Sequence, residues 1–229
     1  AGVDQVLCLA FNQRLRELSA SAFVQAVLVD GLGVKHLEIG DDFRFGCDRS
    51  GDFAFLQQAG AAAGFTVEEA ATVELNGSRV SSTRVREALQ AADFVEAEHL
   101  LGRPFAIAGR VVHGQKLGRQ LGTPTANVQL KRHRVPLNGV FLVSMELEGV
   151  LQPGVANIGV RPSVKADGFA HLEVHLLDFA GDLYDRRVSV VFHHKLRDEQ
   201  RFASLEALKS AIAADVVAAR AFWQDQLNS

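Results

Sequence analysis

Gly114-Gln-Lys-Leu-Gly-Arg-Gln-Leu-Gly-Thr-Pro-Thr-Ala-Asn127 decides how this chain is read. Gly114, Gly118 and Gly122 recur at four-residue spacing, interleaved with Lys116 and Arg119 and closed by a Thr-x-Asn pair. Glycine lets backbone N–H groups come close to an anion. Lys116 and Arg119 supply charge for phosphate, and Thr125 and Asn127 offer hard oxygen ligands of the kind Mg²⁺ accepts. The combination points to a nucleotide phosphate with a metal. A glycine-rich hairpin with a basic, solvated tip is equally open from spacing alone, because neither Gly-x-x-x-x-Gly-Lys-Ser/Thr nor Gly-x-Gly-x-x-Gly occurs here.

Working outward, 229 residues hold one large domain or two small ones, and a 48% hydrophobic composition supports a substantial core. A net charge of −3 gives no global electrostatic reason to expect nucleic acid or a membrane surface as partner. Cys8 and Cys47 lack metal-ligand spacing, and no apolar run is long enough to span a bilayer. The expected compartment is the cytoplasm; nothing in the sequence fixes an oligomeric state.

Residues 1 to 102 alternate strand-like and helix-like segments, which predicts a mostly parallel α/β sheet. Val3 to Phe11 reads as a buried strand at the very start, as though the sequence were entered partway through a domain. Ser19 is expected to cap a helix from Ala20 to about Asp30, and Val34 to Ile39 to form a strand. Asp52 is expected to cap a helix ended by Gly64, Phe65 to Val73 to form an outer strand, and Thr83 and Asp93 to open two short helices. From residue 103 to 229 the pattern changes at Leu101-Gly-Arg-Pro104. Strands are predicted at Phe105–Val112, Gly139–Leu147, Gly154–Ile158, His171–Phe179 and Arg187–Phe192, as in a small antiparallel barrel or sandwich. Ser204 should cap a closing helix with Leu205, Leu208, Ile212, Val216, Ala219 and Trp223 on one face.

The opening stretch resembles the signature of riboflavin kinases in Gly118-Arg-Gln-Leu-Gly122 and Pro124-Thr-Ala-Asn127. Three further blocks follow in that family's order: Asn138-Gly-Val-Phe141, Asn157-Ile-Gly-Val-Arg-Pro-Ser163, and Leu172-Glu-Val-His-Leu-Leu-Asp-Phe179 with Gly181-Asp-Leu-Tyr184. Asp185 stands where the family has glycine, so a reshaped turn is expected there. The resemblance implies a riboflavin-kinase-type barrel with a C-terminal helix, using ATP and Mg²⁺ to phosphorylate riboflavin to FMN. It implies Glu173 as the catalytic base, Thr125 and Asn127 at the metal, and Gly114, Lys116, Gly118, Arg119, Gly122, Asn157 and Arg161 around nucleotide and flavin. Arg161 alternatively forms an ion pair with Asp178. Taken alone, Glu173 reads as an outward polar residue of an alternating strand. His171 and His175 share its face and read as packing or hydrogen-bonding residues rather than zinc ligands. His193-His194 reads as strand-end surface.

Gly40-Asp-Asp-Phe-Arg-Phe-Gly46 and Arg79-Val-Ser-Ser-Thr-Arg-Val-Arg86 resemble FMN adenylyltransferase domains. Asp42, Arg79, Ser82, Thr83 and Arg86 are the implied flavin and phosphate contacts. Hydroxyls and free N–H groups at a helix start suit a phosphate, although a plain N-cap with surface arginines explains the same residues. Together the two halves resemble the bacterial bifunctional riboflavin kinase/FAD synthetases, with a partial Rossmann-like nucleotidyltransferase domain first. That family's His-x-Gly-His motif is absent from these 229 residues. The chain as given is therefore expected to act as a kinase with adenylyl transfer lost or impaired. The competing readings are a catalytically inactive flavin- or nucleotide-binding regulatory module and, more remotely, a nucleic-acid-binding barrel.

Overall fold

A computed structural model describes residues 3–114, 118, 122–130, 135–160 and 170–227. The chain divides into two compact units, Ala1–Arg79 and Val80–Ser229.

In the first unit, β1 (His36–Ile39) and β2 (Thr66–Glu69) pair in parallel, and β3 (Glu74–Leu75) and β4 (Ser78–Arg79) form a short hairpin. After the one-turn helix α1 (Gln13–Arg16), the Ser19 hydroxyl accepts the Ala22 N–H at 3.2 Å and starts α2 (Ala20–Phe23), but the expected α-helix continues as a π-helix over Val24–Val29. Its i→i+5 bonding shows in the Asp30 N–H reaching the Gln25 carbonyl. Helix α3 (Phe53–Ala63) is capped by Asp52, whose carboxylate accepts the Phe55 N–H, and ends at Gly64 with φ +80°. Val24, Leu28, Ile39, Phe45, Leu56 and Phe65 form this unit's core.

Two expectations need correction. Val3–Phe11 is not a buried strand: it has no regular structure, and Val6 and Phe11 are nearly four-fifths exposed. An apolar run becomes a core strand only where a neighbour accepts its backbone bonds, and no described strand pairs with it. The outer strand is likewise shorter than Phe65–Val73, ending at Glu69.

The second unit opens with α4 (Ser82–Gln90) and α5 (Phe94–Leu101), joined by an Arg84–Glu96 ion pair at 2.6 Å. Ser81, rather than Thr83, caps α4, accepting the Arg84 N–H; Asp93 caps α5. The strands β5 (Ala106–Val112), β6 (Ala126–Gln129), β7 (Gly139–Leu147), β8 (Val150–Val160), β9 (Ala170–Leu176) and β10 (Arg187–Arg197) close a wholly antiparallel barrel in the order β10-β5-β6-β9-β8-β7. Alternation sends Val111, Val128, Phe141, Val143, Met145, Ile158, Leu172, Val174 and Val190 inward, each at most 3% exposed. Phe94 of α5 packs against Phe141 and Phe192, with Phe105 beside Phe192. Asp185 adopts φ +62°, in the left-handed region that favours glycine, and its N–H bonds to the Val111 carbonyl.

Strand β10 runs five residues beyond the expected end at Phe192, so His193 is not strand-end surface. It lies against the closing helix α6 (Leu205–Leu227), its ring 4.9 Å from that of Trp223 and its Nε2 2.8 Å from the Ser144 hydroxyl. Ser204 caps α6 as expected, and Val216, Ala219, Phe222 and Trp223 cover Val140, Leu142 and Val155 on the barrel's outer face. Leu205, placed on the packing stripe from sequence, is half exposed.

Burial lowers the His193 pKa below 6.5, partly opposed by the nearby negative charge of Glu98. The unfolded chain then binds more protons than the folded one at mildly acidic pH, so this contribution is complete above about pH 6.5 and is lost as the pH falls below it. Urea unfolding at pH 7.5 and 5.5 is expected to show lower stability at 5.5, with part of that drop removed in His193→Gln.

Candidate active site

The barrel register assembles the site. Asn127 on β6 is the cross-strand partner of Glu173 on β9, and Glu173 is also the partner of Asn157 on β8. Directly opposed residues share a sheet face with Cβ atoms about 4.5–5.5 Å apart. Leu172 and Val174 point into the barrel, so Glu173 points out, flanked by the two asparagines. The row continues through Val140 to Arg197, the next partners around the barrel. Residues as distant in sequence as Asn127 and Arg197 thus form one line. Strand β6 is absent from the sequence expectation because Gly122 and Pro124 mark that stretch as loop. Ala126 and Val128 in alternation with Asn127 and Gln129 were the signal for it.

A cavity of about 260 Å³ lies between this outer face and α6. Thr125, Asn127, Asn157, Glu173 and His175 form one end; Val140, Val155, Phe202, Leu208, Ile212 and Val216 form the other. The cavity is therefore polar at the carboxylate and apolar under the helix. Arg197 and Asp215 close it with a two-pronged ion pair, 2.9 and 2.8 Å, Asp215 being almost fully buried. Phe202 lies 5.7 Å from the Arg197 guanidinium. Sequence reading missed this pair, since Asp215 looks like an ordinary polar residue of a helix. Its position three residues beyond Ile212, on the buried stripe, was the available clue.

Two glycines of the opening stretch lean on the polar end. A side chain at Gly118 would come within 2.5 Å of the Thr123 carbonyl and 3.2 Å of the Thr125 hydroxyl, and one at Gly114 would collide with the Asn127 amide. Gly122 takes φ +80°. Lys116, Arg119 and Arg161 lie outside the described residues. Asp178, the alternative partner for Arg161, is held by Arg220 through two bonds of 2.6 and 2.7 Å. These bonds, with the positive charge of Arg220, hold the Asp178 carboxyl below its usual range. The His175 Nδ1 lies 2.9 Å from the Pro124 carbonyl and ties β9 to the start of β6. A second cavity of about 360 Å³ borders Thr125 on another side, lined by Val111, Val174, Leu176, Leu183 and Tyr184. The His113 ring lies 3.9 Å from that of Tyr184.

In the first unit, Arg79 binds Asp41 at 2.7 Å and approaches Asp42 at 3.6 Å. The Thr72 hydroxyl and Arg79 together hold the Asp41 carboxyl below its usual range. In the second unit, Ser82 and Thr83 stand in the first turn of α4, and Arg86 donates to the Ser82 hydroxyl at 3.2 Å.

The closed antiparallel barrel, with one outward carboxylate between two asparagines over an amphipathic cavity, coincides with a family match that makes it a small-molecule kinase domain. The riboflavin kinase family model matches residues 101–223, and the FAD synthetase model matches residues 1–84. The chain is 77% identical to a bifunctional riboflavin kinase/FMN adenylyltransferase of Pseudomonas fluorescens over 96% of its length and 71% of that protein. With the enzyme of the same description from Escherichia coli K12 it is 52% identical, covering 97% of this chain and 71% of that one. It therefore belongs to the bifunctional riboflavin kinase/FMN adenylyltransferase family. A solved structure described as a macrolide-efflux protein from Streptococcus pneumoniae superposes with a TM-score of 0.66 at 32% identity, covering 92% of this chain and 67% of that one. No described helix is long and apolar enough to cross a membrane.

Asp215→Asn leaves the Arg197 charge without its carboxylate in a mostly buried place. Unfolding free energy should fall by about 3 kcal/mol in urea titrations. Because Leu208, Ile212 and Val216 ride on the same helix, the KM for riboflavin should rise more than kcat falls in steady-state assays.

Proposed function

We propose that the cavity beside Glu173 is where riboflavin receives the γ-phosphoryl group of ATP. The register row Asn127–Glu173–Asn157 at the junction of a polar and an apolar chamber carries this reading. The isoalloxazine ring takes the apolar chamber under α6, and the ribityl tail runs toward Glu173. The second cavity, which shares Thr125 with the first, suits the nucleoside end of ATP.

In the transfer, the 5′-oxygen forms a bond to the γ-phosphorus as the bond to the β,γ-bridging oxygen breaks, and ADP leaves. The transition state is loose, so positioning and charge matter more than nucleophile strength. Glu173 accepts the hydroxyl proton late in that step, as a positioned carboxylate can.

Thr125 and Asn127 fit a magnesium site. A hydroxyl and an amide oxygen are hard, neutral ligands, and the glycines at 114 and 118 leave room for loop backbone to lie directly on them. Bound there with ATP, the ion would neutralise phosphate charge. Lys116, Arg119 and the loop glycines are assigned to the phosphates, and Asn157 and Arg161 to the flavin.

The kinase domain is taken to begin near residue 103, consistent with a family match starting at 101. For adenylyl transfer to FMN, Asp42, Arg79, Ser82, Thr83 and Arg86 are assigned to flavin or phosphate. The Asp41–Arg79 pair already balances part of the charge that Arg79 offers.

Glu173→Gln keeps the shape of the site and removes the proton acceptor. It should lower kcat for FMN formation by about 10²–10⁴-fold, while riboflavin affinity, followed by flavin fluorescence, stays within a few-fold. An inactive binding module requires instead that the unsubstituted protein form no FMN.

A further inference from the structure

The side-chain oxygen of Asn157 is buried and has no hydrogen-bond partner among the described residues. Buried acceptors are nearly always satisfied, and one left open is costly unless a ligand completes it. Asn157 lines the first cavity, beside Glu173 on one flank and apolar Val140 on the other. The Arg197 guanidinium, the nearest strong donor in the row, is committed to Asp215. What is missing at Asn157 is therefore a donor, and one carried by a neutral group, since the amide has no charge to balance.

We propose that Asn157 determines specificity for the polyol tail: its oxygen accepts a hydrogen bond from a secondary hydroxyl while Glu173 takes the terminal one. This rests on the kinase reading of the cavity. Cross-strand neighbours on one face are spaced as hydroxyls along a short polyol can bridge. Two adjacent acceptors of different kind give a division of labour. The carboxylate serves the reacting hydroxyl, and the amide holds its neighbour without competing for the proton. A site built to bond a hydroxyl rejects a substrate lacking it, because the acceptor is then buried unpaired.

The test compares riboflavin with a flavin whose N10 chain is 5-hydroxypentyl, keeping the reacting hydroxyl and losing the secondary ones. The unsubstituted protein should prefer riboflavin in kcat/KM by at least about tenfold. Asn157→Leu, close in shape, should lower kcat/KM for riboflavin by about tenfold and change that for the hydroxypentyl flavin by less than about twofold. Asn157→Asp, which keeps an acceptor, should retain the preference for riboflavin, and this arm decides the matter if the Leu variant does not fold. Equal losses on both substrates in Asn157→Leu, loss of preference in Asn157→Asp, or no preference in the unsubstituted protein would overturn the role of Asn157 and leave the kinase reading intact. Phosphorylation of neither substrate by the unsubstituted protein would overturn both.

Discussion

The placement of β9 between β6 and β8 is the constraint on which the rest depends. Glu173 is useful only because its strand pairs in a register that sets Asn127 on one side and Asn157 on the other. A slip of one residue would turn the carboxylate into the barrel and Leu172 or Val174 out. What prevents the slip is the interior itself: Leu172 and Val174, each 1% exposed, pair across the strands with buried Val128, Ala156 and Ile158. The chemistry on the outside is thus fixed by packing on the inside. The His175–Pro124 contact pins the same register at the open end of β6.

The helix α6 turns a sheet face into a chamber. Its Val216 and Ala219 seal against Val140, Leu142 and Val155, while Leu208 and Ile212 face the cavity further along. The Arg197–Asp215 pair joins helix to barrel at the cavity wall, where a two-pronged geometry fixes angle as well as distance. A buried pair of this kind is weak evidence for net stability, yet losing either partner leaves an uncompensated charge and is costly.

Most local signals were legible in the sequence, although the cap of α4 was placed at Thr83 rather than Ser81. Ser19, Asp52, Asp93 and Ser204 cap helices as their side chains dictate, and Gly64 ends one at positive φ. Five of the six barrel strands follow from alternation, with ends misjudged at β8, β9 and β10, while β6 is missing from the expectation. The errors arise where a segment alone does not show what it pairs or packs with, or which helical hydrogen bond it will make. Val3–Phe11 has the composition of a core strand, but no described neighbour to bury it. The π-helical turn over Val24–Val29 leaves no mark that separates it from an α-helix. His193 reads as surface until β10 is extended and Trp223 arrives from a helix 30 residues away. The site was named through motif resemblance, yet the row joining Asn127, Glu173 and Asn157 is a fact of long-range register, which no single segment encodes.

The most direct measurement is a structure of the protein with riboflavin, magnesium and a non-hydrolysable ATP analogue. It should place the 5′-oxygen of the ribityl tail within about 3 Å of a Glu173 carboxylate oxygen, with the γ-phosphate on the Thr125 and Asn127 side of it. A flavin bound elsewhere, or a tail turned away from Glu173 with the γ-phosphate out of line, would contradict the account.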